Sequence, residues 1–270
     1  MTVCIGAICE GGKAAVVAAD KMVVFGAPMN LQTEPQTLRK IMRLTEGSVV
    51  LYSGSLADGE DLIRRSGIQA GQNLPIEKAA QAIKSSYTEL KKTRVEENIL
   101  QPLLGANYQQ FQALAAQSPS SQILQQVIAM MMQHNLNLDV LIAGVDESGG
   151  HLFVVTHPGV LLRVDTTAFA AIGVGGTHAM IRLSLGGHTK VASRVDTIYN
   201  VYEAKKASEV APGVGKLTDL AVVERGKVFF AEQPLFDALE RAHKERPMLS
   251  APEQEELRKV CDEWIKAAAN

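Results

Sequence analysis

Apolar residues open the chain almost without interruption. In Thr2-Val-Cys-Ile-Gly-Ala-Ile-Cys9, Val3, Ile5 and Ala7 alternate with Cys4, Gly6 and Ile8, so an extended segment has two apolar faces. A strand of that kind is covered on both sides, as in paired sheets with helices outside. Residues 14–20 repeat the pattern after Glu10-Gly-Gly-Lys13, whose adjacent glycines suit a tight turn, and the pair predicts a hairpin. A second hairpin is predicted from 39–44 and 48–53 around Glu46-Gly47. Asp58 to Gly67 reads as a short helix. Leu74-Pro75 opens a longer one, with Ala79, Ala80, Ile83, Tyr87 and Leu90 on one stripe. Strands return at 138–146, 151–156, 160–165 and 168–173, helices near 177–186 and 193–207, and strands at 217–224 and 227–231.

Two stretches exceed this alternation of strands and helices. Residues 93–136 are broken at Gln101-Pro102 and Ser118-Pro119, and carry Ile123, Leu124, Val127, Ile128 and Met131 at helical spacing. That stripe reads as a helix folded over the core, with a lid or a subunit contact as the alternative, since methionines adapt to irregular partners. The tail predicts helices near 235–245 and 251–268. Ser250 and Glu253 have capping-box spacing, and Leu257, Val260, Cys261, Trp264 and Ile265 make an apolar stripe.

Composition narrows the class. At 270 residues and 46% hydrophobic the chain can bury a sizeable core. A net charge of −2 with interspersed signs leaves no nucleic-acid footprint. No apolar run reaches the roughly 18 residues of a membrane span, and no basic leader is seen, so a cytoplasmic protein without a membrane partner is expected. Cys4 and Cys9 fall on opposite faces of one strand and cannot bridge, which favours a reducing compartment. The six histidines have no metal-ligand spacing and read as surface or capping residues; no cofactor is expected. Gly173-Val-Gly-Gly176 lacks the strand, helix and acidic partner of a dinucleotide loop, and Asp146-Glu-Ser-Gly-Gly150 is too short for a calcium loop.

Chemistry concentrates at the first strand. Removal of Met1 would leave Thr2 with a free α-amine beside its own hydroxyl. The amine, with an ordinary pKa of about 7.7–8.0, can take the hydroxyl proton as the oxygen attacks. While Met1 remains, that nitrogen is an amide and cannot be a base.

Four ordered stretches then resemble the proteasome β-subunit family of N-terminal nucleophile hydrolases. Thr2–Gly6 with Ala14-Ala-Val-Val-Ala-Ala-Asp20-Lys is similar to that family's opening hairpin. Arg39-Lys40-Ile41 followed by Ser53-Gly54-Ser-Leu-Ala-Asp58 is similar to its Lys-Ile strand and its turn into a helix. Asp139-Val-Leu-Ile-Ala-Gly144-Val-Asp146 is similar to its central strand, and Ala170–Gly175, Glu203-Ala-Lys205 and Asp219–Val223 follow in order. The resemblance implies an α+β, four-layer αββα sandwich as one domain over 1–270, with a helical insertion at 93–136 and a helical appendix at 234–270. It also implies a threonine-type peptidase in which Thr2 is the nucleophile and Lys40 favours the alkoxide. Asp20 holds Lys40, and the Gly54 N–H faces the oxyanion. The implied partners are peptide or unfolded-protein substrates, a homo-oligomeric ring and an ATPase unfoldase.

Two departures stand against it. The family's Gly-Ser-Gly is Gly173-Val174-Gly175 here, and its later aspartate and serine fall on Ser208-Glu209-Val-Ala-Pro-Gly-Val-Gly215, where Ser208 and Glu209 both remain candidates. A non-catalytic ring or scaffold subunit, and an amidohydrolase or transpeptidase with a defined substrate, are therefore the alternatives.

Overall fold

A computed structural model describes residues 2–25, 31–118 and 120–245. The chain divides into two compact units, Met1–Ala231 and Glu232–Asn270. In order, the first holds β1 (Cys4–Cys9), β2 (Ala14–Asp20), β3 (Val23–Phe25), β4 (Leu31–Thr33), β5 (Met42–Thr45) and β6 (Ser48–Ser53). Next come α1 (Leu56–Arg65), α2 (Ile76–Val95), a wide helical turn at Glu96–Leu100, and α3 (Gln101–Leu104), α4 (Tyr108–Gln117) and α5 (Gln122–Gln133). Then follow β7 (Asp139–Asp146), β8 (Gly149–Thr156), β9 (Val160–Arg163), β10 (Phe169–Ile172), α6 (Gly176–Leu185), α7 (Arg194–Ser208), β11 (Thr218–Glu224) and β12 (Lys227–Phe230). The described part of the second unit is α8 (Gln233–Glu245). The expected helix at 251–268, with its cap and its Cys261 and Trp264 stripe, lies outside the described residues.

The two larger sheets are antiparallel and five-stranded, ordered β10-β1-β2-β11-β12 and β5-β6-β7-β8-β9. They face each other because every second residue of the central strands is apolar. Cys4, Ile8, Val17 and Val223 from one sheet share a core with Val49, Leu51, Leu141 and Leu152 from the other. Gly6 leaves room for the facing sheet: a Cβ there would lie 2.9 Å from Leu152 Cδ2. The alternate residues of β6, β7 and β8 pack with α1 and α2, where Ile83, Tyr87 and Leu90 are fully buried. Helices α6 and α7 pack on the opposite face of β1, β2 and β10. The result is a mixed α+β arrangement of helices, sheet, sheet and helices. No helix among the described residues is long and apolar enough to cross a membrane.

Several expectations need correction. Arg39-Lys40-Ile41 precedes β5 rather than belonging to it, and α1 begins at Leu56, because the Ser55 hydroxyl accepts the Asp58 N–H at 3.3 Å and caps the helix there. The stripe at 123–131 is a helix, α5, but it does not fold over the main core. Val95, Ile99, Leu100, Phe111, Leu124 and Val127 form a core of their own, while Ile123 and Met132 are 64% and 75% exposed. His151 and His188 are buried rather than surface residues. The His151 ring meets Asp165 Oδ2 and the Ser148 hydroxyl, each at 2.7 Å, and ties the β7–β8 turn to the end of β9. His188 Nε2 meets the Ile8 carbonyl at 3.0 Å.

Candidate active site

The end of β2 carries the site. Pairing of β1 with β2 sets Cys4 opposite Ala19, and the Asp20 N–H donates to the Val3 carbonyl at 3.2 Å, so the Asp20 side chain lies beside the residue two positions before β1. That residue is Thr2, only 2% exposed. Its hydroxyl donates to Asp20 Oδ1. Lys40 arrives from the segment before β5 and is held on both sides. Arg39 stacks on the Phe230 ring at 4.7 Å, and Ile41 is buried between the sheets with its N–H 3.5 Å from Asp219 Oδ2. Lys40 Nζ donates to Thr2 Oγ1 at 2.5 Å and to Asp20 Oδ1 at 3.2 Å.

Asp20 is fully buried, and its carboxylate is filled with donors. Oδ1 accepts the Val3 N–H at 2.9 Å besides Thr2 and Lys40, and Oδ2 accepts the N–H groups of Met22 at 2.9 Å and Gly215 at 3.1 Å. Three backbone donors and an ammonium are the surroundings that stabilise a buried carboxylate. Nearby Asp219 is different: burial pushes its carboxyl above the usual range, against the pull of Lys21 and the Ile41 N–H. Burial also pushes the Cys4 thiol up to about 12 despite the Lys40 charge, so it stays a thiol and offers no rival nucleophile.

Gly54 follows Ser53 at the end of β6 with φ of 124°, and a Cβ there would lie 1.9 Å from the Asn137 carbonyl oxygen, so only glycine fits. Ser53 was not foreseen from the sequence. Its hydroxyl and the Thr2 carbonyl oxygen lie 2.7 and 2.3 Å from the position a Gly173 Cβ would take, which makes the two neighbours across a bare glycine. The structure also separates the two later candidates. The Ser208 hydroxyl, fully buried, reaches the Gly175 carbonyl at 3.0 Å, and the Gly175 N–H lies 3.4 Å from the Thr2 carbonyl. Glu209 is turned away, to Lys205 at 2.6 Å and Lys206 at 3.4 Å.

Thr2, Asp20 and Lys40 thus meet in direct contact, with Ser53 and Ser208 one contact away through the glycines at 173 and 175. Cavities of about 540 and 590 Å³ elsewhere on the unit are not lined by these residues. Among the described residues no group of three His, Cys, Asp or Glu side chains could hold a metal ion. Compared with known proteins, the chain matches no protein-family model and no curated protein.

Proposed function

We propose that this protein is a threonine-type peptidase of the N-terminal nucleophile kind, built on the αββα fold of the proteasome β-subunit family. The observation that carries the reading is the contact of Lys40 Nζ with Thr2 Oγ1 at 2.5 Å, with Asp20 bonded to both. An ammonium on the hydroxyl oxygen stabilises negative charge as it develops there, which is where an attacking alkoxide needs it.

In this reading Met1 is removed and the Thr2 amine becomes the base. It takes the Oγ1 proton as Oγ1 bonds to the scissile carbonyl carbon, and the Gly54 N–H faces the resulting oxyanion. The tetrahedral intermediate then expels the amine product, which receives the proton, and leaves an ester on Thr2. Water attacks that ester, the carboxylic acid leaves, and the hydroxyl is restored. Lys40 acts on charge in both steps, and Asp20 keeps it in place. Substrates are peptides or unfolded chains, and the working form is a cytoplasmic homo-oligomeric ring served by an ATPase unfoldase.

The test is direct. Purified protein is analysed by intact mass for loss of Met1, then treated with a peptide epoxide or boronate. One equivalent bound at Thr2, and none in Thr2→Ala, is expected; an unmodified Thr2 in Met1-free protein overturns the reading. Val174 at the place of the family's serine, together with the burial of Thr2, favours the second reading, a non-catalytic ring subunit. Retained Met1 in protein purified from its own cells would support it.

A further inference from the structure

Lys205 is fully buried near the end of α7, yet it touches neither Thr2 nor Lys40. Its ammonium donates to Glu209 Oε1 and to the Lys216 carbonyl, both at 2.6 Å. A lysine that loses all contact with water is held only by specific partners. Glu209 is the next acidic residue along the same helix face, so it neutralises the charge locally. The Lys216 carbonyl is the informative partner, because it belongs to the segment that supplies the Gly215 N–H to Asp20 Oδ2 at 3.1 Å.

That segment is fixed from both ends. On one side Glu34 Oε1 accepts the Leu217 N–H at 3.2 Å, and a Cβ on Gly215 would lie 1.8 Å from the same oxygen. On the other side Lys205 reaches across from α7 to the Lys216 carbonyl, while the Lys21 N–H donates to the Leu217 carbonyl and the Val214 N–H to the Ala211 carbonyl, each at 3.2 Å. Beyond it the chain enters β11, whose Thr218 pairs with Asp20. Burial, helped by Lys206, pulls the Lys205 pKa below that of ordinary lysine, while Glu209 and, more weakly, Asp20 pull it back.

We propose that Lys205 is a positioning residue for the site, clamping the 213–217 segment so that the Gly215 N–H meets Asp20 and holds its carboxylate toward Thr2 and Lys40. This rests on the peptidase reading, and it adds a residue that the family resemblance did not assign. The logic is one of donors. An ammonium has three, two of which are used on Glu209 and Lys216. Methionine fills a similar volume with none, leaving the Lys216 carbonyl unpartnered beside it. Arginine keeps the charge and the donors.

The experiment compares wild type, Lys205→Met and Lys205→Arg by two readouts. One is amide hydrogen exchange at Gly215, followed by NMR. The other is the rate at which a peptide epoxide modifies Thr2 in Met1-free protein. In Lys205→Met, Gly215 exchange should rise and Thr2 modification should fall, each by about tenfold, the order expected for a lost charged hydrogen bond. Lys205→Arg should recover most of both. Unchanged Gly215 exchange in Lys205→Met overturns the proposal, and so does faster exchange with an unchanged Thr2 rate. If Lys205→Met does not fold, Glu209→Gln loosens the clamp while keeping the lysine, and a smaller shift of both readouts in the same direction is expected; no shift overturns the proposal. Wild-type protein that does not react at Thr2 removes the peptidase reading instead. Lys205 is then judged on Gly215 exchange together with the Asp20 carboxyl carbon shift: both move if the clamp is real, and the proposal falls if neither does.

Discussion

Two buried charges in contact with one hydroxyl make the site sensitive to single atoms. Lys40 is 7% exposed and Asp20 not at all, so their ion pair lies where breaking it is costly. Asp20→Ala strands the Lys40 ammonium and three backbone donors, and should lower unfolding free energy by about 3–5 kcal/mol in urea titrations. Asp20→Asn keeps the shape and should cost less. Lys40→Ala should act chiefly on the chemical step: Lys40 touches the attacking oxygen, so its loss should lower the Thr2 acylation rate by at least the about 10²–10³-fold seen for losing one oxyanion donor. A change confined to the Michaelis constant would instead make Lys40 a substrate contact. The meeting of Thr2, Asp20 and Lys40 was legible in the sequence through the ordered resemblance. Ser53 and Gly215 were not, because their neighbours at the site, Thr2 and Asp20, lie far from them in the chain; Lys205 was not, because its burial shows only in the folded chain.

Elements were legible where the pattern was long and two-sided. Strands β1, β2, β6 and β7 announce themselves by apolar residues on both faces, and they are buried on both faces. The β3–β4 hairpin was missed because Val23–Phe25 and Leu31–Thr33 are three residues each, too short for a period to show. The insertion was read as a stripe, but a helix can bury one flank in its own small core and expose the other. Val127 is 3% exposed within that core, so Val127→Asp should disrupt the insertion by about 3 kcal/mol or more, read as a separate early transition in thermal melting. The β7–β8 hairpin makes a pH prediction. Burial pushes the carboxyls of Asp146 and Asp165 up, but bonds from Ser148 and the Ile76 N–H at the first, and from His151, the Leu152 N–H and Arg163 at the second, outweigh it and hold both below the ordinary value. A carboxyl lowered on folding stabilises the native state above its unfolded pKa of about 3.9, and that contribution fades as pH falls through the lowered values. Asp165→Asn should therefore destabilise the protein at pH 7 and flatten the loss of stability below about pH 4. Parallel acid titrations of variant and wild type would contradict this.

At the scale of the molecule, the question is what covers the remaining apolar surface. On α6, the segment after it and the first turn of α7, Ile181, Leu185, Val191 and Val195 are 53%, 81%, 80% and 75% exposed, and Ile181 and Leu185 stand one turn apart on one face. The insertion adds Ile123, Met130 and Met132, at 64%, 46% and 75%. Scattered exposed apolar residues need no explanation, but a run of large ones over half exposed marks a contact surface. We expect the α6–α7 run to be buried between copies of this chain in the proposed ring, and the exposed flank of the insertion to be a second, separate contact. The two are separable because they lie on different helices and on side chains that leave the cores intact. Leu185→Glu with Val191→Glu should yield a folded, smaller species by light scattering, with an unchanged far-ultraviolet circular dichroism spectrum. Ile123→Glu with Met132→Glu should do the same only if the insertion also joins subunits. A wild-type monomer at micromolar concentration would reject both contacts. It would also turn the peptidase reading toward a free-standing amide-bond enzyme, because a compartment that admits only unfolded chains requires the ring, whereas the chemistry at Thr2, Lys40 and Asp20 does not.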